Sequence, residues 1–152
     1  MSSAVFYGIT SEFWQVACKV TEKMYDLGER TLFLCDDDSD VIFCHSKLWT
    51  FSKLAFIPSG SKSTVLVDDA KFCSVWFSTK VEFCNAPTCL LHNGLDVSRL
   101  DGIDKFDKVV DIFDIGLIEA ARTRAGFYAE SSFENSKMWL QEDGSWRSGS
   151  LV

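Results

Sequence analysis

The chain has 152 residues, of which 47% are apolar and 14% are aromatic. A chain of this size and apolar content forms one domain with a substantial core, and its ordinary charged fraction of 24% together with only two prolines excludes a wholly disordered or fibrous protein. The 15 basic and 22 acidic residues give a net charge of -7, which disfavours broad DNA binding because phosphate contacts need basic side chains. No apolar run could span a bilayer and the first residues lack a secretory pattern, so we expect a cytoplasmic protein.

The first 35 residues predict a strand, a helix and a second strand. A short apolar run from Ala4 to Tyr7 predicts the first strand. Apolar residues then recur every three or four positions from Phe13 to Leu27, which indicates an amphipathic helix. Ser11 is a candidate N-cap and Gly28 a candidate C-terminal stop. The apolar run from Arg30 to Cys35 does not alternate, as is typical of a strand in a parallel sheet.

The rest of the chain predicts further helices and strands. A second helix is expected from about Ser39 to Leu48, and a last one from about Leu117 to Ala129. The inner face of the second helix is predicted to carry Val41, Ile42, His45, Leu48 and Trp49. A loop is expected from Pro58 to Ser63. The strand candidates are Val65–Val67, Val75–Phe77, Thr88–Leu91 and Phe106–Ile112.

These elements predict an α/β fold, a single-domain sandwich with a mainly parallel central sheet. The predicted domain covers residues 1–140, and residues 141–152 are expected to form a polar, flexible tail.

A Gly-Ser-Lys-Ser-Thr stretch at 60–64 resembles a phosphate loop, but Ser61 separates the glycine from the lysine and a strand is expected to follow. The fold is therefore predicted to be Rossmann-like without a nucleotide-binding loop.

An acidic run from Asp36 to Asp40 directly follows the second predicted strand. Carboxylates at this position can hold Mg²⁺ in an open α/β sheet, but N-capping of the next helix is the favoured interpretation.

The six cysteines form no C-x-x-C pair and are expected to be reduced thiols in the core. No catalytic residue, metal or cofactor is predicted. The alternative is a small metal- or nucleotide-binding α/β enzyme that uses the acidic run.

Three stretches, in this order and spacing, resemble the chi subunit of bacterial DNA polymerase III. The resemblance extends over nearly the whole predicted domain. The matching residues are Phe6-Tyr7, then Lys47-Leu48-Trp49-Thr50-Phe51 with Ala55-Phe56-Ile57-Pro58, and finally Val109-Val110-Asp111 with Ala120-Ala121-Arg122-Thr123-Arg124 and Phe127-Tyr128.

The resemblance implies a non-catalytic subunit that bridges two partners during DNA replication. One surface would bind the psi subunit of the clamp loader, or in some bacteria a helicase. The other would bind the acidic C-terminal tail of single-stranded-DNA-binding protein. The free protein is expected to be a monomer with little direct DNA binding. An adaptor for a repair helicase is a further alternative.

The psi or helicase surface is expected to include Trp49, Phe51, Phe56 and Pro58, because a helix end cannot bury four bulky apolar groups in ten residues.

The resemblance places the acidic-tail site at the last helix. Arg122 would grip a carboxylate there, beside an apolar slot formed by Phe113 and Ile118. Arg124 is also a candidate, although it points about 200° around the helix from Arg122. Ala125 and Gly126 stand where the best-known members of the family carry an aromatic residue and a lysine.

Overall fold

The computed structural model describes residues 2–51 and 56–152. These residues form one eight-stranded sheet and three α-helices, which confirms the predicted α/β fold. The strands are β1 (Ser3–Ile9), β2 (Thr31–Leu34), β3 (Ser59–Ser61), β4 (Val75–Ser78), β5 (Cys89–His92), β6 (Lys108–Asp114), β7 (Asn135–Glu142) and β8 (Ser145–Gly149). The helices are α1 (Phe13–Asp26), α2 (Asp38–Phe51) and α3 (Ile118–Glu130).

The strand order is β3-β4-β2-β5-β6-β1-β7-β8, and among the described residues only β7 and β8 pair antiparallel. Strands β2, β4 and β5 are buried at every position, which explains their continuous apolar sequences. Leu32 and Leu34 of β2 face a core cluster that includes residues of α3, whereas Phe33 faces a cluster with residues of α1 and α2. Because successive side chains of a strand point to opposite faces, the helices cover both sides of the sheet.

The start of α1 differs from the prediction. Glu12, not Ser11, occupies the N-cap position, and its side chain makes no capping hydrogen bond. The Ser11 hydroxyl instead donates to Oε1 of Gln141 at 3.0 Å, so a contact with β7 replaces the local cap. Gly28 has a φ of +77° and ends the helix as expected.

The central segment corrects three further predictions. Part of the expected loop from Pro58 to Ser63 forms the edge strand β3, and the expected strand at Val65–Val67 is absent from the described residues. Gly60 allows this arrangement, because a Cβ there would lie 2.6 Å from Cγ2 of Val65. The core side of α2 also differs, since it buries Val41, Cys44 and Leu48 and leaves Ile42 and Trp49 exposed.

The expected flexible tail is wrong for residues 145–149, which form β8. Strand β7, which no sequence pattern predicted, buries Met138 and Leu140 and pairs in parallel with β1. Trp146 of β8 packs edge-on against Tyr7, with ring centroids 5.3 Å apart. The polar composition of this segment reflects an exposed edge strand. None of the helices in the described part of the chain is long and apolar enough to cross a membrane.

Candidate functional site

Trp49 at the end of α2 and Phe56 form an exposed aromatic pair. Each side chain is 65% exposed, and the rings meet edge to face with centroids 5.6 Å apart. Ile42 lies two turns earlier on α2 and is exposed to the same degree. We call Ile42, Trp49 and Phe56 the α2 surface. Large apolar side chains grouped in solvent are typical of a protein-interaction site.

A groove of about 430 Å³ lies between α2 and the edge strand β3. His45 lines it, with its Nε2 atom 3.1 Å from Oγ of Ser59 and its ring stacked on Phe77. Burial lowers the pKa of His45, so the imidazole is neutral at physiological pH. The groove is lined by apolar, hydroxyl and imidazole side chains without a formal charge: Ile42, His45, Ser46, Trp49, Ser59, Ser61, Ser63, Thr64 and Val65.

The other residues predicted for this surface are placed differently. Phe51 is half-buried and packs against the core cluster beneath α2. Pro58 is half-buried too, and its carbonyl oxygen accepts hydrogen bonds from the backbone N–H groups of Ser74 and Val75. Ala55, which belongs to the motif, lies outside the described residues. The structure therefore leaves Trp49 and Phe56 as the exposed candidates of the predicted set.

Arg122 and Ile118 lie one turn apart on α3 and are both half-buried. The Arg122 guanidinium donates from Nη1 to Oε1 of Glu119 at 2.5 Å and from Nε to the carbonyl oxygen of Ser150 at 3.1 Å. We call the side of α3 that carries Ile118 and Arg122 the α3 surface. The contact with Glu119 joins residues three apart on one helix, whereas the contact with Ser150 joins α3 to the segment that follows β8.

Phe113 and Arg124 cannot line an exposed slot, which corrects two predicted tail-binding residues. Phe113 is fully buried in the core cluster under α3. Arg124 is buried as well, and its Nε and Nη2 atoms donate to the two carboxylate oxygens of Asp111 at 2.7 and 3.0 Å. The helix turns Arg124 toward the sheet, in agreement with its expected angle from Arg122.

Arg124 belongs to a buried polar network that sequence reasoning missed. The Tyr128 hydroxyl donates to Oδ2 of Asp111 at 2.9 Å and lies 2.8 Å from Nε2 of His92. Nδ1 of His92 accepts from the backbone N–H of Leu95 at 3.0 Å. Burial lowers the pKa of His92 against the opposing effect of Asp111, and burial together with Asp111 raises the pKa of Tyr128. The network is satisfied with His92 neutral and holds α3 against β6.

A sequence signal for this network exists. Asp111 lies between Val109 and Phe113 on the β6 face that packs toward α3. A carboxylate at such an inward position needs a buried partner. Arg124 and Tyr128, four residues apart on one side of the last helix, are suitable partners.

The acidic run at 36–40 has the structural role that the sequence favoured. Oδ1 of Asp37 accepts a hydrogen bond from the backbone N–H of Asp40 at 2.9 Å, which is the contact made by an N-cap residue of α2. Asp36 forms an ion pair with Arg99, which also donates to the carbonyl oxygen of Thr79 at 3.0 Å. Carboxylate oxygens of Asp36, Asp37 and Asp40 lie within 4.8 Å of one another on the surface. Two of the three groups thus already have partners within the chain.

The fold and these surfaces define an α/β sandwich with a mainly parallel sheet, in which exposed apolar side chains lie on and next to helix α2, beside an edge strand. A family model, DNA polymerase III chi subunit (HolC), matches residues 1–136. The chain belongs to this family, which confirms the resemblance drawn from the sequence and indicates an accessory role in DNA replication. The match covers all three helices and ends within β7. A search of curated proteins found no match.

Proposed function

We propose that the protein is a non-catalytic accessory subunit of the DNA polymerase III holoenzyme. It would bridge the clamp loader, through the psi subunit, to the acidic C-terminal tail of single-stranded-DNA-binding protein in the cytoplasm. The observation that carries the proposal is the exposed Trp49–Phe56 pair, in a chain whose family is that of a holoenzyme subunit.

The α2 surface has the features of an anchor for another protein. Trp49 and Phe56 expose large apolar areas next to a groove lined by uncharged side chains. Burial of aromatic side chains in a partner's pocket commonly dominates the free energy of binding. The psi subunit would therefore bind chiefly through apolar contacts, with little dependence on salt.

The α3 surface is the proposed site for the acidic tail. Arg122 offers a guanidinium on a side chain that is 27% exposed, and Ile118 offers apolar surface one turn away. Residues 118–130 contain two arginines and two glutamates, and Arg124 is neutralised by Asp111. The attraction of an acidic peptide would then rest on Arg122, and salt would weaken it because the guanidinium reaches solvent.

Binding of the purified psi subunit to immobilised protein tests the α2 surface. We expect Trp49→Ala and Phe56→Ala each to weaken binding by about 2 kcal/mol or more, which is typical of an interface anchor. Leu117→Ala is the matched control, because Leu117 is similarly exposed but precedes α3 on the opposite face of the sheet.

Thermal melting of the same variants separates an interface role from a structural one. Exposed side chains contribute little to the core, so both aromatic variants should melt cooperatively near the wild-type temperature. If both variants unfold, or if they bind psi as tightly as the wild type does, the α2 surface is not the psi-binding site. Loss of binding to a helicase, with psi binding absent throughout, would instead favour the helicase adaptor.

A further inference from the structure

We propose that residues 150 and 151 form a strap that occupies the α3 surface and competes with the acidic tail. This inference rests on the proposed tail site at Arg122. It adds that the site is already filled by the protein's own chain, so that an incoming peptide must displace the segment that follows β8. The strap lies beyond the residues that match the chi family model.

The first argument is the hydrogen bonding of Arg122. A guanidinium can grip a carboxylate along its Nε–Nη2 edge or along its Nη1–Nη2 edge. Ser150 occupies Nε through its carbonyl oxygen, and Glu119 occupies Nη1 through its carboxylate. Each edge therefore has one donor engaged within the chain. A carboxylate of a partner can bind with two bonds only after one of these contacts is broken.

Ser150 is the contact that a carboxylate would replace at lower cost. The carbonyl of Ser150 is neutral and its residue is exposed, so water can satisfy it after release. Release of Glu119 would instead leave a negative charge beside the incoming carboxylate, where like charges repel. We therefore expect the carboxylate of the peptide to bind along the Nε–Nη2 edge of Arg122.

The second argument is the side chain of Leu151. Leu151 is half-buried and packs against the core cluster that includes Ala121 and Ala125 of α3, as Ile118 does. Ser150 presents its backbone oxygen to Arg122, and Leu151 presents an apolar side chain to the core cluster to which α3 contributes. An acidic peptide that ends in an apolar residue presents the same two features, with a charged oxygen in place of the neutral one.

The third argument is that the strap can leave without breaking the sheet. The β7–β8 register ends at the pair Met138 and Gly149, one residue before the strap. Val152 is 99% exposed, Ser150 accepts a hydrogen bond from Arg122 of α3, and Leu151 packs against the core cluster. Displacement would therefore cost one exposed hydrogen bond and the partial burial of one leucine.

Peptide binding to the full chain and to a chain that stops after Gly149 tests the strap. The probe is a fluorescein-labelled synthetic peptide with three aspartates and a C-terminal phenylalanine, followed by fluorescence anisotropy at low salt. We expect the shortened chain to bind about three- to tenfold more tightly, because a solvent-exposed hydrogen bond and part of a leucine are no longer displaced. Leu151→Ser should give part of this gain, and Val152→Ser, the matched control, should give none.

The possible outcomes distinguish the strap from the site itself. Equal affinities for the full and shortened chains, or weaker binding by the shortened one, would overturn the strap. No binding by either chain would refute the tail site and the strap together. A methyl NMR titration of the full chain is independent of truncation: the Leu151 signals should move toward random-coil positions as peptide is added. Leu151 signals that stay in place while the peptide saturates the protein would also overturn it.

Discussion

Arg124 and Asp111 form a two-bond ion pair inside the core, although α3 and β6 bring them there from positions 13 residues apart. Arg122, two residues before Arg124, points outward to Glu119 and Ser150. Two arginines that look equivalent in the sequence therefore have different roles. Arg124 stabilises the fold from inside the core, whereas Arg122 lies at the surface, where we propose that it binds a partner.

This difference predicts unequal effects on stability. Arg124→Ala would leave the Asp111 carboxylate buried without its cation, and we expect a loss of about 3 kcal/mol or more in the free energy of unfolding. Arg122→Ala, the control, removes a partly exposed pair and should change it by less than about 1 kcal/mol. Urea denaturation measures both values. Similar losses for the two variants would contradict the buried pair.

The network around His92 predicts that mild acid weakens the fold. Burial holds the pKa of His92 below its usual 6.5, and a second proton on Nδ1 would face the N–H group of Leu95. Just below pH 6.5, His92 therefore binds a proton in the unfolded chain but stays neutral in the native state. The free energy of unfolding should be constant well above pH 6.5 and should fall as the pH drops from about 6.5 toward the lower native pKa.

His45 has a lowered pKa for the same reason and should contribute in the same direction. Urea denaturation between pH 7.5 and pH 5.5, repeated with His92→Gln and His45→Gln, separates the two contributions. We expect each variant to reduce the slope. A flat profile for the native protein, or an NMR titration of His92 near pH 6.5, would contradict the prediction.

Gly126 predicts a stabilising substitution. It lies on the exposed side of α3, and a Cβ there would have no atom within 4 Å. Gly126→Ala should therefore raise the free energy of unfolding by up to about 1 kcal/mol, since glycine disfavours helix. Gly28→Ala is the control and should not stabilise, because Gly28 needs its φ of +77°.

Lysine at the same position tests the electrostatics of the α3 surface. Gly126 is one turn from Arg122, so Gly126→Lys places a second cation on the same side of the helix. Binding of the acidic peptide should become a few-fold tighter at low salt, and the gain should diminish at high salt. A gain that does not depend on salt would show that the added charge is not responsible.

The α2 surface predicts the behaviour of the free protein. We expect a monomer of 17.1 kDa that self-associates weakly at high concentration, because Trp49 and Phe56 remain uncovered. Light scattering over a concentration series checks this, and Trp49→Ser should suppress the association. A tight dimer at all salt concentrations would show that this surface binds a second copy instead.

The acidic run predicts weak metal binding. Asp36 is paired with Arg99 and Asp37 caps α2, so calorimetric titration with MgCl₂ should show no micromolar binding. A micromolar signal that disappears in Asp36→Ala would instead support the metal-binding enzyme.

The sequence alone determined the βαβ start, the buried parallel strands and the family. These features depend on local patterns: an apolar period of three to four in α1, continuous apolar runs in β2 and β5, and short motifs around Trp49 and Arg122. Such patterns arise because each element must present apolar side chains to whatever covers it, and this requirement can be recognised within one stretch of sequence.

Tertiary structure decided which of these side chains remain outside. Arg124 is buried because Asp111 on a strand compensates its charge, and the sequence of α3 alone does not show which residue would do so. Strand β8 is polar because it lies at the sheet edge, so its sequence resembles a flexible tail. Ile42 and Trp49 fit an inward helical face by spacing, yet they are exposed and Cys44 is buried instead. In each case the outcome depends on contacts between segments far apart in the chain, which a single stretch of sequence does not encode.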